Sequence, residues 1–180
     1  MAIKEALLKD EGTLQMWAEV SERLAAALKA GHKALFCGNG GSAADAQHIA
    51  AELSGRFYME RPPLFAEALH VNTSFLTAVA NDYGYEQVYA RMVEAAGREG
   101  DFLFALSTSG NSPNILAAAR KARELGMTVV GMSGESGGAL ASLCHYTLRI
   151  PSTDAARIQE CHIFFGHVLC EGVERLVFSV

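Results

Sequence analysis

The sequence predicts an α/β fold: a doubly wound, five-stranded parallel sheet flanked by helices, with long helices at both termini. Three observations carry this. Short apolar runs alternate with helical stretches along the whole chain. The strand-like runs are apolar on both faces, as strands covered by helices on both sides must be. Glycine- and serine-rich loops follow several of these runs, at the sheet edge where such folds bind ligands.

The elements follow in order. Residues 3–29 read as one long amphipathic helix ending at Gly31. Ala34–Cys37 is a short buried strand, followed by the loop Gly38-Asn39-Gly40-Gly41. Ser42–Leu53 is an alanine-rich helix, and Ala66–Val71 a second strand. Residues 74–80 and 85–97 read as helices, with Asn81-Asp82-Tyr83-Gly84 as the turn between them. Phe102–Ser107 is a third strand, and residues 112–125 a helix. Met127–Met132 is a fourth strand. A short helix at Ala139–Leu143 precedes a fifth strand, Tyr146–Ile150. Pro151 ends that strand, and a last helix runs from about Asp154 to Phe178. No linker, repeat or low-complexity tract divides the chain, so residues 1–180 read as one domain.

Composition narrows the function. Half of the 180 residues are hydrophobic and 19% are charged, the balance of a globular protein rather than a disordered one. The net charge of −5 argues against nucleic acid or an anionic membrane as the main partner. No apolar run approaches the ~18–20 residues of a membrane span. The N-terminal residues mix charge with apolar side chains and lack the h-region of a signal peptide. Four cysteines without a C-x-x-C pair fit reduced core residues of a cytoplasmic protein.

Two loops point to a phosphate. The segment Gly38-Asn39-Gly40-Gly41-Ser42-Ala43 links a strand to a helix, so free N–H groups face a ligand. It also fits the dinucleotide pattern G-x-G-x-x-A, and it can equally be a tight turn that binds nothing. A dinucleotide site requires an acidic residue at the end of the second strand, and Val71-Asn72-Thr73 has none. The second loop is Ser107-Thr108-Ser109-Gly110-Asn111-Ser112-Pro113. Ser112 suits an N-cap and Pro113 the first helical position. Capping alone does not account for three consecutive hydroxyls at Ser107, Thr108 and Ser109. With no lysine and no Walker motif, this cup suits a small phosphorylated metabolite rather than a nucleoside triphosphate. A third loop, Ser133 to Gly138, reads as ordinary loop composition.

The acid–base candidates lie on two helices. His48 and Glu52 are four apart and share a helical face, ~6 Å along the axis, which Arg56 continues. Taken alone, that face reads as solvated. The last helix carries Gln159, His162 and His167. Gln159 and His167 are about 80° and ~12 Å apart, so they meet on one ligand only if it lies between them or if they come from different subunits. His162 reads as a core histidine.

Taken together, these residues resemble the sugar isomerase (SIS) domain family and, within it, the phosphoheptose isomerases. The resemblance rests on Cys37-Gly38-Asn39-Gly40-Gly41-Ser42, Ala80-Asn81-Asp82-Tyr83-Gly84, Ser107-Thr108-Ser109-Gly110-Asn111-Ser112 and Arg157-Ile158-Gln159-Glu160 followed by His167. It implies a flavodoxin-like strand order, a homotetramer in which the helix of residues 1–30 packs between subunits, and the conversion of sedoheptulose 7-phosphate to D-glycero-D-manno-heptose 7-phosphate. That reaction opens nucleotide-activated heptose biosynthesis. The substrate contacts it implies are Asn39, Gly40, Gly41, Ser42, Glu52, Arg56, Asn81, Asp82 and Gln159, with Ser107, Thr108, Ser109 and Ser112 holding the phosphate. His48, Glu52, Gln159 and His167 would surround one zinc ion, and Glu52 and His167 would carry protons. Ala156 stands where some relatives have an acidic residue. The rival readings are a non-catalytic SIS protein, binding a replication initiator or sensing a sugar phosphate, and an isomerase of another sugar phosphate. In a sheet of order 2-1-3-4-5, strands one and five are ~14 Å apart laterally. Glu52 and His167 of one site are therefore expected from different subunits.

Overall fold

The computed structural model describes residues 2–178. Met1, Ser179 and Val180, counted in the domain of residues 1–180, lie outside the described residues. Two N-terminal helices, α1 (Ala2–Lys9) and α2 (Glu11–Lys29), replace the single helix expected over 3–29. The break is at Asp10. Its carboxylate accepts from the Thr13 N–H at 3.2 Å and from the Thr13 hydroxyl at 2.7 Å. A side chain that caps a new helix start this well competes with continuing the old one.

The sheet contains β1 (Ala34–Cys37), β2 (Ala66–Ala68), β3 (Phe102–Leu106), β4 (Thr128–Ser133) and β5 (Tyr146–Arg149). Its order is β2-β1-β3-β4-β5 and every pairing is parallel. This is the expected doubly wound sheet, with a shorter second strand. The remaining helices are α3 (Gly41–Ser54), α4 (Thr73–Tyr83), α5 (Val88–Ala96), α6 (Pro113–Glu124) and α7 (Ala155–Phe178). The turn expected at Asn81–Gly84 is instead the last turn of α4. That helix stops at Gly84, whose φ of +85° ends the run. Tyr85–Gln87 is a 3-10 turn leading into α5.

Alternation along the strands builds two cores. Phe102, Phe104 and Leu106 join Phe36, Trp17 and Phe165 beneath α2, α3 and α7. Leu103 and Ala105 join Leu35, Tyr89 and Ile115 beneath α5 and α6. Phe36 stacks on Phe104 with ring centres 4.7 Å apart. The whole of β3 is therefore buried, which is why it reads as an unbroken apolar run.

One packing detail positions the site. α7 leaves the β5 edge and folds back over the sheet against α2 and α3. The Trp17 indole N–H donates to the Phe165 carbonyl at 3.0 Å. At the crossing with α3 the residue is Gly166, where a Cβ would lie 2.5 Å from Cδ1 of Ile49. The missing side chain lets the two helices close, and the next residue is His167.

Candidate active site

Three loops meet at the carboxyl ends of the strands. The Gly38 carbonyl accepts from the Tyr89 hydroxyl. Asn39 and the buried Asn114 exchange amide hydrogen bonds at 2.9 and 2.8 Å, and the Tyr85 hydroxyl donates to Asn39 Oδ1 at 3.1 Å. These bonds tie the glycine loop to the start of α6. Asn114 carries no signal in the sequence beyond its place after Pro113, so it was not a predicted site residue.

In the hydroxyl loop, Ser107 Oγ lies 3.1 Å from Ser112 Oγ and 3.5 Å from Ser109 Oγ. Ser112 occupies the N-cap of α6 but makes no side-chain cap bond, contrary to its expected capping role. Its hydroxyl turns to Ser107 instead and joins the hydroxyl cluster. The third loop, expected to be an ordinary loop, packs against the hydroxyl loop. Its Gly134 N–H donates to the Thr108 carbonyl at 3.0 Å. A cavity of about 230 Å³ opens between the two loops, lined by Thr108, Ser109, Glu135, Ser136, Ser152 and Thr153. Glu135 and Ser136 come from the third loop and Ser152 and Thr153 from the turn after β5, where the Ser152 carbonyl accepts from the Glu135 N–H at 3.2 Å; nothing in their composition distinguishes them in the sequence.

The acid–base residues converge within one chain. His48 Nε2 lies 3.0 Å from His167 Nε2 and 3.3 Å from Glu52 Oε1. One donor atom from each of the three lies within 4.8 Å of the others. The expectation that Glu52 and His167 come from different subunits is therefore overturned. It took the lateral distance between strands as the distance between side chains, and α7 crosses that distance by folding back to α3. Phe57 stacks beside the His167 ring at 5.7 Å. The Gln159 amide lies against Gly41, where a Cβ would sit 2.6 Å from both its nitrogen and its oxygen. The start of α7 thus packs where the glycine loop enters α3, and the middle of α7, at His167, packs against the middle of α3.

The donor set fits a divalent metal. Two imidazoles and a carboxylate are a common zinc set, and two nitrogens on one tetrahedral zinc are about 3.3 Å apart. Asp45, one turn before His48, has a buried Oδ2 without a partner. Burial pushes its carboxyl up to about 6, against the opposing pull of His48. His162 is fully buried, with Nε2 3.3 Å from the Ser133 carbonyl. Burial lowers its pKa to about 4, so it stays neutral, as a core histidine should.

The other predicted contacts differ in burial. Arg56 points to solvent, its nearest charge partner being Glu60 at 3.9 Å. Asn81 and Asp82 are exposed and bond each other at 2.8 Å. Ser42 is buried at the start of α3.

The parallel sheet of this order carries a hydroxyl loop and a His–Glu–His cluster at its carboxyl edge. The chain belongs to the SIS domain family, whose model matches residues 6–134. Within that family it belongs to the phosphoheptose isomerases. It is 54% identical over 179 residues to the phosphoheptose isomerase of Mycobacterium tuberculosis, covering 99% of this chain and 91% of the relative. The solved phosphoheptose isomerase of Francisella tularensis superposes with a TM-score of 0.92 at 39% identity, covering 97% of this chain and 92% of that one. That of Neisseria gonorrhoeae gives 0.89 at 40% identity, covering 96% and 91%. Among the described residues, no helix is long and apolar enough to cross a membrane.

Proposed function

We propose that the chain converts sedoheptulose 7-phosphate to D-glycero-D-manno-heptose 7-phosphate. The observation that carries this reading is the meeting of His48, Glu52 and His167 at the sheet edge that bears the hydroxyl loop. The ketose has its carbonyl at C2. Removing a proton from C1 leaves a cis-enediolate across C1 and C2, and returning a proton to C2 gives the aldose. Glu52 is assigned the C–H proton, because one carboxylate oxygen can face His48 while the other faces the sugar. His167 is assigned the opposite face or the oxygen, as the second proton-carrying group of the cluster. His48, Glu52, Gln159 and His167 would hold zinc, which when bound supplies Lewis-acid polarisation of the carbonyl. The deciding test is turnover of sedoheptulose 7-phosphate beside five- and six-carbon ketose phosphates. Faster turnover of a shorter sugar would replace the heptose assignment. A non-catalytic SIS protein is not favoured, since it has no use for the acid–base cluster.

The phosphate is assigned to Ser107, Thr108, Ser109 and Ser112. Ser109→Ala should raise KM, with a loss of ~1.5–3 kcal/mol for one charge-assisted bond. Unchanged KM and kcat in Ser109→Ala and in the Thr108→Ala/Ser109→Ala double variant would remove the cup from the site. Exhaustive chelation should lower activity and zinc should restore it. Full turnover by protein shown metal-free by elemental analysis would confine Glu52 and His167 to acid–base work.

A homotetramer is the proposed assembly. In its support, α1, α2 and α7 line an apolar groove of about 500 Å³ that includes Leu8, Leu14, Val168 and Leu176. These four side chains are exposed in the single chain, and a second copy would bury them. The cytoplasm is the proposed compartment, in keeping with free cysteines of which Cys37, Cys161 and Cys170 are buried.

A further inference from the structure

One buried charge pair has no part in the proposed chemistry. Arg61 Nε and Glu174 Oε1 lie 2.8 Å apart, and both side chains are 1% exposed. Arg61 lies between α3 and β2, whereas Glu174 is on α7. The guanidinium caps the carboxyl end of α3: Nη2 donates to the Glu52 carbonyl at 2.9 Å and Nη1 to the Leu53 carbonyl at 2.9 Å. The Glu174 carboxylate also accepts the N–H groups of Phe57, Tyr58 and Met59 at 3.1, 2.8 and 3.0 Å. Burial raises the Glu174 pKa, but the bonds from Arg61 and the three N–H groups outweigh it and hold the carboxyl below its ordinary value.

Two links run from this pair to the acid–base cluster. Arg61 grips the backbone of Glu52 itself. Glu174 follows His167 by seven residues, two turns along α7 and about 20° from the same face. Phe57, whose N–H Glu174 holds, stacks on the His167 ring. The pair therefore bolts the end of α3 to the helix that carries His167. Stability alone is a weak reason for it, because well-packed apolar residues often replace a buried ion pair without loss. What apolar residues lack is direction: they do not fix one carbonyl of α3 at one register on α7.

We infer that Arg61 and Glu174 are positioning residues that set the separation of Glu52 from His167, and with it turnover and zinc affinity. The inference rests on the roles proposed above for Glu52 and His167. The test is the apolar double variant Arg61→Met/Glu174→Leu, with melting temperature, kcat, KM, zinc affinity by chelator competition, and inhibition by inorganic phosphate. The double variant also takes their partner from the N–H groups of Phe57, Tyr58 and Met59 and from the carbonyls of Glu52 and Leu53, so a lower melting temperature is expected. In the folded protein kcat and zinc affinity should each fall about 10–100-fold, the scale of lost support behind metal ligands. KM and phosphate inhibition should stay within about twofold, because the hydroxyl cup stands on β3 and α6; a general packing defect would shift them as well. Arg61→Lys is the second variant, and it decides the matter if the double variant does not fold. It keeps a charge against Glu174 but cannot also hold the carbonyls of Glu52 and Leu53, so the same split is expected. Wild-type kcat and zinc affinity in a folded double variant, or in Arg61→Lys, would overturn the inference. Wild-type turnover by Glu52→Gln would instead overturn the roles on which it rests.

Discussion

Glu52→Gln should reduce turnover by ~10²–10⁴-fold, and mixing it with a His167→Ala variant should restore nothing. The first part follows from the role assigned to the carboxylate. Glutamine keeps the shape of the side chain but cannot accept a proton at neutral pH, so the contribution of a general base is lost. The second part follows from the path of α7. His48 Nε2 touches both Glu52 and His167 of its own chain. In a mixed oligomer of the two variants, every chain still lacks one of the two groups. The measurement is activity after the variants are unfolded together and reassembled, with mixed assemblies confirmed by mass. Recovery toward the fraction of mixed sites would mean that the working pair spans a subunit boundary.

The strands were legible because their constraint is local. A buried parallel strand must be apolar on both faces, and Phe102–Leu106 meets that test without help from the rest of the chain. The glycine and hydroxyl loops were legible for a related reason, since they follow those strands directly. Helix boundaries were harder. Asp10 reads as one more charged position on an amphipathic helix until its bonds to Thr13 are seen. The third loop and Asn114 were invisible because their partners are distant in sequence: Gly134 meets Thr108, and Asn114 meets Asn39. The His48–Glu52 pair was found by helical spacing, but its partner His167 is 119 residues away. Strand order alone put that partner too far off. The correction lies in Gly166, where the absence of a side chain lets α7 approach α3. A glycine inside a helix is a weak sequence signal, since it costs stability whether or not it serves a crossing.

Gly110→Ala should be the most damaging single-methyl change in the hydroxyl loop. Gly110 has φ of +66°, a conformation that costs an L-residue ~1–2 kcal/mol. Space is the larger problem. A Cβ there would lie 2.1 Å from the Gly137 carbonyl oxygen and 2.5 Å from its carbon. Both are backbone atoms of the third loop, so no side chain can rotate out of the way. The two loops must separate, which breaks the bond from the Leu140 N–H to the Gly110 carbonyl at 2.9 Å and strains that from Gly134 to Thr108. With ~0.5–1.5 kcal/mol for each bond, the total loss is about 2–5 kcal/mol. For a chain of this length each kcal/mol lowers Tm by about 2–4 °C. KM should rise as well, since Thr108 and Ser109 sit on the displaced loop. Gly31→Ala is the control. Gly31 has φ of +88°, but a Cβ there meets nothing within 4 Å, so it carries the conformational cost alone. The two variants thus separate backbone strain from loop contact. If Gly110→Ala lowers Tm no more than Gly31→Ala and leaves KM unchanged, the contact between the second and third loops does not hold the cup together.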